Sequence, residues 1–236
     1  MKPLLLIQNL TVGYGLKPVI EDLSLSVDQG EAMVIEGGNG SGKTTLLKAA
    51  FGLLHPWSKE TRIEFETQAV SLTNPEPSAL LNAGIVFVPQ KQSVYDTLTV
   101  VENLRLTSRR ITAESFGNSL TLILDQFPAL RPLLHQRPER MSGGERQMLA
   151  LSMALIQYPR LLLLDEPLAG LSSAGGQAVL SLLHQLNRNN DVSLIIVEHR
   201  LNEVLTIATR KLTMVLGKIV ADQRVSKTIN SLPTNF

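Results

Sequence analysis

No feature constrains this chain more than Gly37-Gly38-Asn39-Gly40-Ser41-Gly42-Lys43-Thr44, which fits the pattern G-x-x-x-x-G-K-[ST]. Glycines let the backbone curl until successive N–H groups point inward as an anion nest. The apolar run Ala32-Met33-Val34-Ile35 leads into the loop as a buried strand. From Lys43 the pattern becomes helical, with Leu46, Leu47, Ala50, Phe51 and Leu54 recurring at three and four. Strand before and helix after is the context this motif needs, because the helix adds its positive dipole end to the nest. In that setting Lys43 reaches the β- and γ-phosphates of a nucleotide, and the Thr44 hydroxyl ligates Mg2+.

The remaining pattern extends the strand–helix alternation. Leu4–Thr11 and Val19–Val27 read as strands, and Asp28-Gln29-Gly30-Glu31 as a turn. Arg62–Glu66 alternates like an edge strand, Thr73–Pro77 reads as a loop, and Gly84–Val88 is a buried strand ended by Pro89. Residues 91–157 are mostly helical. Thr99-Val100-Val101-Glu102 opens one helix with a capping box, Ser119–Phe127 is a second, and Ser142-Gly143-Gly144-Glu145 opens a third. Strands at Leu161–Leu164, Val192–Val197, Leu212–Leu216 and Lys218–Ala221 then alternate with helices at Gln177–Asn187 and Leu201–Ala208. Such alternation implies an α/β fold whose mostly parallel sheet is covered on both faces. The helical block reads as an insertion in a single domain: a core at residues 1–90 and 158–236, and a helical subdomain at 91–157.

A second motif stands at Leu161-Leu162-Leu163-Leu164-Asp165-Glu166-Pro167, an apolar strand ending in two acids. Beside a phosphate loop, such a strand delivers a carboxylate to Mg2+ at its C-terminal end. Asp165 is the candidate metal partner, and Glu166 the candidate base that polarises an attacking water. Composition removes other chemistries. The chain has no cysteine, which excludes a disulfide scaffold, a Cys-ligated zinc, an iron–sulfur ligand set and a thiol nucleophile. Its formal net charge of +1 argues against a dedicated nucleic-acid binder. No apolar run approaches about 18 residues, so no transmembrane helix is expected. The start, Met1 to Asn9, lacks a signal-peptide pattern, and the expected address is the cytoplasm.

With Met141-Ser142-Gly143-Gly144-Glu145-Arg146-Gln147 lying between the two nucleotide motifs, the chain resembles an ATP-binding cassette (ABC) ATPase from Tyr14 to His199. The resemblance implies a P-loop core with an N-terminal antiparallel β subdomain and the inserted helical subdomain. It also implies that two cassettes pair head to tail around two ATPs, as homodimer or heterodimer, the signature of one subunit facing the γ-phosphate held by the other. Ser142, Gly143, Gly144 and Glu145 are then nucleotide contacts. Ser142 is an N-cap candidate, which leaves free N–H groups at that helix start. The loop contacts extend through Gly37, Gly38, Asn39, Gly40, Ser41, Gly42, Lys43, Thr44 and Thr45. Tyr14 resembles the residue that stacks on adenine. Gln90, after Phe87-Val88-Pro89, resembles the glutamine that touches Mg2+ or the attacking water, with Gln92 a nearby rival. His199, after Ile195-Ile196-Val197-Glu198, resembles the switch histidine that contacts the γ-phosphate and aligns Glu166. His55, His135 and His184 read as structural.

One stretch departs from the family pattern. Leu168 stands where Ser is common, and Ser172 where Asp is common, in the loop after the two acids. The phrases Leu98-Thr99-Val100-Val101-Glu102-Asn103-Leu104 and Gln147-Met148-Leu149-Ala150 are most similar to importers of branched-chain or hydrophobic amino acids. Lipopolysaccharide-export ATPases and soluble ABC ATPases, such as those of iron–sulfur assembly, are the alternatives. The importer resemblance implies a separate membrane permease and a location on the cytoplasmic membrane face. The permease dock is expected near Gln90 to Thr97, with Val94 and Tyr95 as apolar anchors for a short helix.

Overall fold

The computed structural model describes residues 2–66, 71–91, 93–108, 112–190 and 192–225. Its strands and helices run β1 (Leu5–Tyr14), β2 (Lys17–Val27), β3 (Ala32–Glu36), α1 (Lys43–Ala50), β4 (Arg62–Glu66), β5 (Ser71–Thr73), α2 (Pro77–Ala83), β6 (Ile85–Val88), α3 (Val100–Thr107), α4 (Ala113–Gln126) and α5 (Gly143–Leu155). They continue as β7 (Leu161–Asp165), α6 (Ser173–Asn190), β8 (Ser193–Val197), α7 (Leu201–Val204), β9 (Arg210–Val215) and β10 (Lys218–Arg224). Two short 3-10 turns, Pro128–Leu133 and Pro138–Arg140, link α4 to α5.

The strands form two sheets, an antiparallel one ordered β2-β1-β4-β5 and a larger one ordered β10-β9-β3-β8-β7-β6. In the larger sheet β6, β7, β8, β3 and β9 are parallel, and only β10 runs antiparallel, against β9. Successive residues of a strand point to opposite faces. Along β3, β6, β7 and β8 both faces are covered, so those strands read as unbroken apolar runs, whereas β9 is partly exposed and β10 largely so. Met33, Ile35, Leu161, Leu163, Ile195 and Val197 enter one core with α1 and the antiparallel sheet. Val34, Leu162, Leu164, Leu194 and Ile196 enter the other, with α3, α4, α5 and α6.

Several elements differ from the sequence reading. β4 is not an edge strand, because β5 pairs along its outer side from Glu64–Thr73 to Glu66–Ser71. The stretch Thr73–Pro77 ends that strand and opens α2, where Pro77 occupies the first turn, a position that tolerates its missing N–H. α4 begins at Ala113, capped by the Thr112 side chain, six residues before the expected Ser119. α7 stops at Val204 rather than Ala208. Both capping boxes form: Thr99 with Glu102, and Ser142 with Glu145. Among the described residues no helix is long and apolar enough to cross a membrane. Gln92 and residues 226–236 lie outside the described residues.

Candidate functional site

The site forms where β3 hands over to α1. Gly37, Gly40 and Gly42 take positive φ of 156°, 77° and 100°. At Gly37 the restriction is steric as well, since a Cβ would lie 2.6 Å from Ser41 Oγ and would clash with the Met214 carbonyl. Gly38 and Gly40 face open space on their outer side, and Gly38, Asn39 and Gly40 are exposed. Ser41 Oγ is buried and has no hydrogen-bond partner among the described residues. The start of α1 carries no side-chain cap, so its first N–H groups stay available to a ligand. Lys43 bends back over the loop, its ammonium donating to Gly37 O at 2.8 Å and Gly38 O at 3.0 Å. Burial lowers the Lys43 pKa, while the carboxylates of Glu166 and Asp165 act against that shift. Thr45 is buried behind the loop.

β7 ends beside this loop. Asp165 is only 3 % exposed, and its Oδ1 accepts from Thr44 Oγ1 at 3.1 Å. Burial raises the Asp165 pKa, and the Thr44 hydrogen bond pulls it back. Glu166 follows in the left-handed region, at φ 52°, with its N–H donating to Val197 O at 2.8 Å. A non-glycine residue in that conformation marks a constrained position. Its carboxylate is met from two sides: Gln90 Nε2 donates to Oε2, and His199 Nε2 lies 3.2 Å from Oε1. Lys43, Thr44, Asp165, Glu166, Gln90 and His199, drawn from four separate stretches of sequence, thus converge.

Two expected contacts stand apart. Tyr14, at the end of β1, is half exposed, and the Lys48 ammonium of α1 lies 5.9 Å from its ring centroid. That places an accessible aromatic face beside the phosphate-loop helix. Ser142, Gly143, Gly144 and Glu145 form the N-terminus of α5, and among the described residues no hydrogen bond or ion pair joins them to the loop. The Glu145 carboxylate instead accepts from Ser142 N at 2.7 Å and Ser142 Oγ at 2.9 Å. It serves the cap of its own helix.

Three residues that the sequence reading passed over also shape the site. Glu36, at the last position of β3 before the loop, accepts from Thr213 Oγ1 at 2.6 Å and pairs with Lys211 Nζ at 2.9 Å. Those contacts, led by the Thr213 hydrogen bond, depress its pKa. A depressed carboxylate stabilises the fold above its unfolded pKa of about 4.3 and loses that contribution as pH falls through the folded value. Glu36→Gln is therefore expected to lower Tm at pH 7 by about 2–4 °C, roughly 1 kcal/mol for a charge-assisted hydrogen bond in a chain this long. The gap should close on acidification, and melting curves at pH 7 and pH 3 measure it. Asn103, fully buried in α3, holds the Tyr95–Thr99 turn by accepting from Tyr95 N at 2.8 Å and donating to Tyr95 O, Leu98 O and Thr99 O. An asparagine among apolar helix positions was the available signal. Glu198 is the third.

A strand, a glycine loop, a helix and a second parallel strand, two places along the sheet, that ends on a buried carboxylate define a P-loop nucleoside-triphosphatase core. Residues 20–169 match the ABC transporter family. The chain is 35 % identical to the high-affinity branched-chain amino acid transport ATP-binding protein BraG of Pseudomonas aeruginosa, covering 88 % of this chain and 87 % of that protein. It is 30 % identical to the probable branched-chain amino acid transport ATP-binding protein LivF of Archaeoglobus fulgidus, over 89 % and 88 %. It also matches, at 36 % identity and 86 % of its own length, 37 % of a putative ABC transporter ATP-binding protein of Bacillus thuringiensis. The nucleotide-free crystal structure of an ATP-binding cassette from an ABC transporter superposes with a TM-score of 0.82 at 27 % identity, covering 95 % of this chain and 92 % of that one. A dimeric cassette bound to ADP and Pi shares the fold, with a TM-score of 0.83 at 23 % identity over 94 % and 99 %. The chain belongs to the ABC transporter family as an ATP-hydrolysing ATP-binding subunit.

Proposed function

We propose that this chain powers a membrane permease for amino acids, with Glu166 as the base of ATP hydrolysis. The observation that carries the catalytic part is the convergence of Gln90 and His199 on the Glu166 carboxylate, beside Lys43 and Asp165. Glu166 accepts the proton of the attacking water, His199 holds that carboxylate in line, and Gln90 meets its second oxygen. Lys43 turns from the loop carbonyls to the β- and γ-phosphates, and the loop N–H groups and the buried Ser41 hydroxyl donate to phosphate oxygens. Tyr14 offers its exposed face to adenine.

The donor set fits Mg2+. Among the described residues no cluster of three or more His, Cys, Asp or Glu could hold a metal by itself. Thr44 and Asp165 instead supply one hydroxyl and one carboxylate, the sparse protein share of an ion that keeps phosphate and water ligands. Gln90, whose Nε2 is held by Glu166, would add its amide oxygen. Bound there, Mg2+ would neutralise charge developing between the β- and γ-phosphates.

The remaining parts of the reading follow. Ser142, Gly143, Gly144 and Glu145 complete the site of a second, identical or similar cassette, so ATP closes a head-to-tail dimer. Residues 91–157 move as one helical subdomain when it opens and closes. The permease sits at the cytoplasmic membrane face and docks on the turn before α3. Tyr95 is its better anchor, being exposed, whereas Val94 is partly buried against the helical core. The names of the relatives from Pseudomonas and Archaeoglobus, both branched-chain amino acid transport ATP-binding proteins, support an amino-acid solute. Tyr95→Glu is expected to abolish copurification with permease subunits while nucleotide affinity stays within twofold of the parent. Unchanged copurification removes the dock. Membrane-inclusive purification with mass spectrometry tests the whole reading: permease partners support it, lipopolysaccharide-export subunits redirect it, and recovery with soluble assembly factors replaces it.

A further inference from the structure

Glu198 is 3 % exposed and follows directly on β8. A buried carboxylate is stable only where hydrogen bonds replace its water. Three backbone N–H groups do so here. Oε2 accepts from His199 N at 2.8 Å and Arg200 N at 3.1 Å, within its own segment, and Oε1 accepts from Leu168 N at 2.8 Å, thirty residues earlier. Arg200 reaches the same loop. Its Nε and Nη2 are held by the two carboxylate oxygens of Glu203, both at 2.8 Å. That fork leaves Nη1 facing Leu168 O at 3.3 Å and Leu171 O at 3.4 Å. Gly176, in the first turn of α6, leaves room for the guanidinium, since a Cβ there would lie 3.1 Å from Nη1.

Three consecutive residues therefore grip one loop. The outer two hold its backbone, and between them His199 Nε2 lies 3.2 Å from Glu166. The gripped loop is itself tight, with Ala169 N donating to Glu166 O at 3.1 Å and Leu171 N to Leu168 O at 3.2 Å. Fixing Leu168 thus fixes Glu166 two residues before it. The loop also meets α5, where Leu171 Cδ2 would lie 3.3 Å from a Cβ on Gly144. We infer that Glu198 and Arg200 are positioning residues, a clasp that sets the approach of His199 to Glu166 by holding the Leu168–Leu171 loop. The inference rests on the proposed roles of Glu166 and His199, but it assigns work to residues outside them.

The test compares ATP turnover by the parent, Arg200→Ala, Glu166→Gln and the double variant. Among the described residues no hydrogen bond or ion pair joins Arg200 to the phosphate loop or Tyr14, so Arg200→Ala should lower kcat about tenfold or more, the scale of a small misplacement of reacting groups. KM for ATP should stay within twofold and Tm within a few degrees. In the Glu166→Gln background the same change should remove no further residual turnover, because the pairing it protects is already lost. Parent kcat in Arg200→Ala overturns the clasp. So does a loss matched by a collapse of Tm, or an undiminished further loss in the Glu166→Gln background. Should Arg200→Ala fail to fold, Glu203→Gln loosens the same fork from its carboxylate side. It should lower kcat at constant KM, and parent kcat there also overturns the clasp. If Glu166→Gln alone turns over like the parent, the base assignment has failed, a result distinct from failure of the clasp.

Discussion

Glu166→Gln is expected to reduce ATP turnover by about a hundredfold or more, the usual weight of a positioned general base. The variant changes one atom of the side chain and leaves its shape. Its backbone constraint at φ 52° and the Val197 contact persist, so the amide occupies the place of the carboxylate. It cannot take a proton from water. Nucleotide binding draws on the phosphate loop and is retained, so the ATP-bound, closed dimer should accumulate. Size-exclusion chromatography with ATP measures that dimer, and a phosphate-release assay measures turnover. Hydrolysis at the parent rate would contradict the base role.

Lys43→Ala is expected to cost on the order of 3 kcal/mol at the transition state, about a hundredfold in turnover. It should also weaken nucleotide binding. The ammonium is buried and hydrogen-bonded to Gly37 O and Gly38 O, so its removal loses two contacts yet also relieves a desolvated charge. Those effects oppose each other in the nucleotide-free fold, and Tm should change little. Equilibrium binding of a fluorescent nucleotide, turnover and melting separate the consequences. Activity within twofold of the parent would defeat the assignment.

The sequence was most informative where physics leaves a local signature. Leu161–Leu164 and Ala32–Ile35 read as buried strands because covered faces demand unbroken apolar runs. Thr99–Glu102 and Ser142–Glu145 announced helix starts because the reciprocal cap is closed within four residues. Thr73–Pro77 reads as a loop because Pro75 and Pro77 look like breakers, although proline suits the first turn of a helix and Pro77 opens α2. The interior place of β4 depended on β5, a three-residue strand too short to carry a period. In the site, Lys43, Thr44, Gln90, Asp165, Glu166 and His199 converge, whereas Ser142–Glu145 stand apart at the start of α5. Glu36 and Glu198 did not stand out, because each is defined by distant partners that no spacing rule links to it, and Asn103 offered only its polar side chain among apolar helix positions.

The alternate burial of β7 gives its four leucines a second meaning. Leu161 and Leu163 point toward α1, Leu162 and Leu164 toward the helical side, and Asp165, next in the alternation, points to the side where Thr44 waits. The run therefore works as a ruler, counting off the step at which the acid must fall. Deleting any one leucine would leave the hydropathy profile and both motifs almost untouched. It would nevertheless turn the carboxylate toward the wrong wall of the molecule, so length in this strand matters to the proposed site as much as the acids themselves.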